Sequence, residues 1–220
     1  MPSPNFDARP AGCPIDMLVI HYTGMRSAEA ALARLGDAEA GVSAHYVIDE
    51  DGSVIGLVEE GRRAWHAGRG WWRGEEDINA RSVGVELVNP GHEFGYRPFP
   101  EAQMSALENL AQGILARHPI ARRNVVGHAD VAPRRKRDPG ELFDWRRLAG
   151  AGIGLWPEAA VPATVDPDSL PALLSEIGYE TKDLSATTTA FQRRFRPARF
   201  DGVADAETAR LAAAVAALCT

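Results

Sequence analysis

The chain is poor in cysteine, with Cys13 and Cys219 near opposite ends and no ligand-like spacing between them. That scarcity excludes a disulfide-stapled scaffold and a cysteine-based zinc motif, and it favours free thiols in a reducing cytoplasm. No apolar run approaches the roughly 20 residues that a membrane helix requires. The start, Met1-Pro2-Ser3-Pro4-Asn5, has neither a basic segment nor an apolar one, so no secretory signal is legible. A cytoplasmic location is therefore expected, and a periplasmic one if the sequence is a trimmed form. Basic residues are in deficit: 24 Lys and Arg against 30 Asp and Glu give a net charge of −6. Nucleic acid and anionic membrane are poor partners for such a surface.

What is present is ordinary for a soluble enzyme, with 45% hydrophobic and 25% charged residues over 220 positions. Met17–Ile20 reads as a buried strand ending at His21. His45–Ile48 and Val54–Val58 flank Asp51-Gly52, a hairpin signal. Ser82–Val88 reads as a strand stopped by Asn89-Pro90-Gly91, and Val125-Val126 as a short one that delivers His128. Helices are predicted over Ala28–Leu35 and, from the three- and four-residue spacing of Met104, Leu107, Ala111 and Ile114, over Glu101–His118. The implied class is α/β, a mixed central sheet flanked by helices.

The composition changes after Trp156-Pro157. Residues 158–167 are a Pro/Ala-rich linker. Residues 168–220 read as a small domain of three helices near Ser169–Ile177, Leu184–Phe195 and Ala206–Leu218, the last capped by Asp205. A core that small is marginal alone and should dock on residues 1–157.

The chemistry concentrates between Gly127 and Gly140, where His128, Lys136 and Asp138 fall within eleven residues interrupted by Pro133. Proline forbids a long helix or central strand there, so the stretch is a loop. With His21 and Glu86 at strand ends, it offers a His2Asp donor set of the kind catalytic zinc accepts. Each residue also has a plainer reading. Glu86, mid-strand among apolar neighbours, is either salt-bridged to one of Arg134, Arg135 or Arg137 or functional. Those arginines with Lys136 form either a solvated patch or a site wall. His118 belongs to a helix C-terminus, and His92 to a solvated Gly-rich loop.

Five motifs occur in order: Val19-Ile20-His21-Tyr22-Thr23, Ser43-Ala44-His45-Tyr46, Ala64-Trp65-His66-Ala67-Gly68, Ser82-Val83-Gly84-Val85-Glu86, and Gly127-His128 through Asp138-Pro139-Gly140. Together they make the chain resemble the zinc-dependent type-2 N-acetylmuramoyl-L-alanine amidases, over about Ser3 to Pro157. Within that family the chain resembles the cell-wall-recycling members that act on anhydro-muropeptides. The resemblance implies the fold of peptidoglycan recognition proteins and one zinc ion. His21, His128 and Asp138 match its ligands, Glu86 its catalytic carboxylate and Lys136 its cationic partner. The implied reaction is hydrolysis of the amide between the lactyl group of N-acetylmuramic acid, in the 1,6-anhydro form, and the L-alanine of the stem peptide. Partners are then muropeptides or peptidoglycan fragments, and the rival is a receptor that binds them without cutting.

His45 and His66 fall where the family has no ligands and read as structural, while Trp65 and Trp72 read as substrate contacts. Arg137, Glu141 and Leu142 depart from the usual pattern, which bears on the groove rather than on the metal. The tail resembles a peptidoglycan-binding module through Ala190-Phe191-Gln192-Arg193-Arg194-Phe195, Asp201-Gly202 and Asp205-Ala206-Glu207-Thr208.

Overall fold

The computed structural model describes residues 2–158 and 164–219, so residues 159–163 of the expected linker lie outside the described residues. The elements, in order, are β1 (Phe6–Ala8), β2 (Met17–Tyr22), α1 (Ala28–Gly36), β3 (Tyr46–Ile48), β4 (Val54–Gly56), β5 (Arg62–Ala64), α2 (Ile78–Arg81) and β6 (Ser82–Leu87). They continue with α3 (Gly91–Phe94), α4 (Glu101–Arg117), β7 (Val125–Gly127), α5 (His128–Val131), α6 (Trp145–Gly150), α7 (Leu170–Ile177), α8 (Leu184–Phe195) and α9 (Ala206–Ala217).

Five strands form the central sheet in the order β4-β3-β6-β2-β7. The strands β3, β6, β2 and β7 run parallel, and β4 closes one edge as the antiparallel arm of the Asp51-Gly52 hairpin. This is the expected mixed sheet flanked by helices. The pair β1–β5 was not expected. Its segments are three residues long, largely exposed, and held by antiparallel pairing with Arg63 bridging Asp7.

Strand alternation assigns the two faces. Leu18, Ile20, Val83, Val85 and Val125 pack under α4 and α6 with Met104, Leu107, Ile114, Trp145 and Leu148. Met17, Val19 and Val126 face the other way, into a core shared with Leu170, Leu174, Phe191, Phe195, Ala212 and Val215 of α7–α9. The three C-terminal helices thus lie at the predicted positions and share their core with the sheet. Asp183 and Asp205 cap α8 and α9 by accepting from Ala186 N–H and Thr208 N–H, which satisfies backbone donors that helix starts leave open.

The tail's motif residues have packing roles. Phe191 and Gln192 are fully buried. Gln192 donates to Val203 O and Thr208 Oγ1 and accepts from Gly202 N–H, tying the α8–α9 turn to both helices.

Candidate metal centre

Parallel register builds the site. His21 and Glu86 are direct partners on β2 and β6, and Ile20 pairs Gly127 on β7. The carboxyl ends of three adjacent strands therefore present Glu86, His21 and His128 side by side, the edge at which parallel sheets bind ligands. Asp138 returns to them along the loop, where Ala129 N–H donates to Asp138 O at 2.9 Å. Before that loop, His128 opens the single turn α5, a short helical stretch where sequence reading expects only loop.

The three donor atoms form a near-equilateral triangle. His21 Nδ1 lies 2.9 Å from His128 Nδ1, and Asp138 Oδ2 lies 3.0 Å from each. A tetrahedral ion about 2.0–2.1 Å from its ligands sets them roughly 3.3 Å apart, so the triangle fits a zinc-sized cation.

The outer hydrogen bonds fix which nitrogen carries the proton. His128 Nε2 faces Ala67 O at 3.0 Å, an acceptor, so it donates and leaves Nδ1 a lone pair. His21 is set by a longer chain. Ser82 Oγ donates to Ile78 O, so it accepts from His66 Nε2 at 3.0 Å. His66 Nδ1 then accepts from His21 Nε2, also at 3.0 Å. Three lone pairs converge with no proton among them, an arrangement that a cation satisfies. Gly84 makes room for this chain: a Cβ there would lie 2.4 Å from the His66 ring.

Burial depresses the His21 imidazole to about 4, with His128 beside it pushing the same way. Burial pushes the Asp138 carboxyl up, but His128 and His21 outweigh it and hold the group well below the ordinary range. Glu86 is the opposite case. Burial raises its carboxyl well above the ordinary value, Asp138 adds to the rise, and Lys136 opposes it. Its Oε2 is buried without a hydrogen-bond partner, so among the described residues no arginine pairs with that oxygen.

His128 and Asp138 of the triad line a cavity of about 480 Å³, within the range of small-molecule sites. Glu86, Trp65, Lys136 and Arg137 line it, as do Tyr22, Arg34, His66, His92 and Arg135. The basic run is therefore largely a cavity wall. Two sequence expectations are corrected. Trp72 is 2% exposed, packs on Tyr179 and donates to Asn124, so it is core and cannot meet a substrate. His92 is half-buried rather than solvated: it bonds Tyr22 Oη at 2.9 Å and Glu141 at 3.1 Å. Its partners lie 70 and 49 residues away, which no local pattern signals. His66, which reads as structural in the sequence, bonds His21 of the triad.

A buried His2Asp triad at a cavity, with a carboxylate and an ammonium beside it, defines a metallohydrolase-type centre. Comparison with known proteins gives the particular kind. Residues 11–141 match the Amidase_2 family, described as N-acetylmuramoyl-L-alanine amidase. The N-acetylmuramoyl-L-alanine amidase AmiD of Escherichia coli is 41% identical over 229 residues, covering 91% of this chain and 82% of the relative. The 1,6-anhydro-N-acetylmuramyl-L-alanine amidase AmpD of Haemophilus influenzae is 34% identical over 163 residues, covering 66% and 86%. A solved complex of E. coli AmiD with the substrate anhydro-N-acetylmuramic acid-L-Ala-D-γ-Glu-L-Lys superposes with a TM-score of 0.82 at 40% identity, over 93% of this chain and 90% of that one. The chain belongs to the N-acetylmuramoyl-L-alanine amidase family and is a hydrolase of that class.

Proposed function

We propose that this chain cleaves the amide between the lactyl carbonyl of 1,6-anhydro-N-acetylmuramic acid and the L-alanine of the stem peptide. One zinc ion is held by His21, His128 and Asp138. The observation that carries the reading is the convergence of three lone pairs at the edge of a cavity lined by Glu86, whose Oε2 makes no hydrogen bond. Bound zinc supplies Lewis-acid polarisation of the carbonyl and acidifies water. Glu86 takes a proton from the attacking water and hands it to the departing amine, a duty suited to a carboxyl whose proton affinity is raised. Lys136 donates to the oxygen that gains charge as the carbonyl becomes tetrahedral. Arg34 and Arg137 on the cavity wall offer cations to the stem-peptide carboxylates, and Trp65 an apolar face to the sugar.

Residues 1–157 are read as the catalytic unit and 168–220 as a helical unit that completes it. Free Cys13 and Cys219 support action in the cytoplasm, on soluble fragments. Fractionation of a tagged chain checks this, and recovery in the periplasm would extend the substrate to polymeric wall. The reaction itself is tested by mass spectrometry of defined anhydro- and non-anhydro-muropeptides, with and without chelator. The expected products are free stem peptide and sugar, chelator-sensitive and faster from the anhydro form. Intact substrate in the zinc-loaded sample would refute catalysis and favour the receptor.

A further inference from the structure

Asp130 sits one turn past the β7 end, two residues from His128, and is 2% exposed. A buried carboxylate needs partners, and two of its three come from the C-terminal helical unit. Arg194 Nη1 donates to Asp130 Oδ2 at 2.8 Å and Tyr179 Oη to Oδ1 at 2.6 Å, while the third donor is Gly127 N–H at 2.8 Å. Arg194 is itself 6% exposed, donates also to Val125 O, and lies 4.0 Å from the Trp145 ring centroid. The turn α5 has only four residues and no helical stability of its own, so tertiary bonds set its orientation. That turn starts with His128, and its Ala129 N–H holds Asp138 O.

The neighbouring Arg193 reaches the other side of the same site. Its Nε is 3.4 Å from Glu141, which bonds His92 on the cavity wall. Consecutive arginines of the motif that resembles a peptidoglycan-binding module thus turn inward on the amidase.

We propose that Arg194 and Tyr179 are positioning residues that act through Asp130 to hold His128 and Asp138 at metal-binding separation. Residues 168–220 are then part of the metal site. The inference rests on the metal reading above and adds to it the origin of the loop's geometry.

The test measures zinc affinity of the full chain against a chromophoric chelator, with circular dichroism of each zinc-free protein, for Arg194→Gln, Arg194→Lys and Tyr179→Phe. Arg194→Gln is expected to weaken zinc binding about tenfold or more, as loss of outer-shell support does. Arg194→Lys should restore part, since it keeps the charge but not the fork. Tyr179→Phe should weaken binding a few-fold, and Co²⁺ bound to the variants should show a shifted d–d spectrum. Folded variants that bind zinc within twofold of wild type, with only their melting lowered, would overturn the inference. If Arg194→Gln does not fold, Tyr179→Phe, which removes one oxygen, decides alone by the same criterion. Wild-type protein that binds no zinc would refute the metal reading and this inference with it.

Discussion

Replacing His66 by alanine tests the proton-ordering chain behind the metal triad. His66 Nδ1 is the acceptor for His21 Nε2, and the chain ends on a carbonyl, so the His21 proton has one favourable position. Alanine frees the ring to place its proton on Nδ1, where it blocks the metal, and leaves Nε2 unpaired in a buried setting. Loss of such a partner weakens metal binding by about 10–100-fold, which is ~1.4–2.7 kcal/mol. Zinc competition with a chromophoric chelator reads this directly, and activity at saturating zinc should recover in part. His66→Asn puts a carbonyl oxygen near the Nδ1 position and should keep most of the affinity. Gly84→Ala reaches the same end by another route, because its methyl would displace the ring. If His66→Ala and Gly84→Ala proteins, folded by circular dichroism, hold zinc within twofold of wild type, the tautomer argument is wrong.

Three further outcomes are expected. Glu86→Gln should lower kcat by about 10²–10⁴-fold with zinc content unchanged. Its melting temperature should stay nearly level, since the amide is isosteric with a carboxyl whose Oε2 makes no hydrogen bond. Lys136→Met should cut kcat by ~10²–10³ with little change in zinc affinity, as it donates to charge that develops only during reaction. Burial opposes the ionisation of Glu60, but Arg117, Tyr46 and His118 outweigh it and bring its carboxyl down to about 2. A depressed folded value means the stabilisation is complete above the unfolded value near 4.5 and fades as pH falls through about 2. Glu60→Gln should therefore melt several degrees lower at pH 7, for a loss of about 2 kcal/mol, and most of the difference should be gone by about pH 2 in thermal scans.

Much of this molecule is legible along the chain because its elements are long enough to carry a period. Met104, Leu107, Ala111 and Ile114 predict α4 to within a residue, and the three C-terminal helices fall where expected. The triad is legible because its members occupy strand ends and a proline-broken loop. Their convergence depends on the pairing of His21 with Glu86 and of Ile20 with Gly127, which is a property of the folded sheet. Features built only from distant partners leave no local trace. The β1–β5 pair has no alternation, and His92 looks like loop until Glu141 reaches it. Trp72 shows the converse: a tryptophan in a Gly-rich stretch suggests a binding surface, yet Ile177, Tyr179 and Phe191 share its core. The tail's Gln192 and Arg194 likewise look like recognition residues because polar side chains are seldom core. Here each is buried because it has fixed hydrogen-bond partners.

The core shared by the sheet and α7–α9 bears on how the protein is made. During synthesis the sheet strands precede the helices, so Met17, Val19, Trp72 and Val126 wait with one apolar face uncovered. At about 5–20 residues per second, the segment from Glu158 onward takes roughly 3–12 s to follow. Until residues 179–194 are made, Asp130 lacks Tyr179 and Arg194, and the turn bearing His128 is held only by bonds within residues 1–157, such as Ala129 N–H to Asp138 O. The nascent chain therefore passes through a stage with an exposed hydrophobic face and a His128 turn not yet tied to α8. On the positioning role proposed for Arg194, metal affinity would rise once α8 has closed over the sheet.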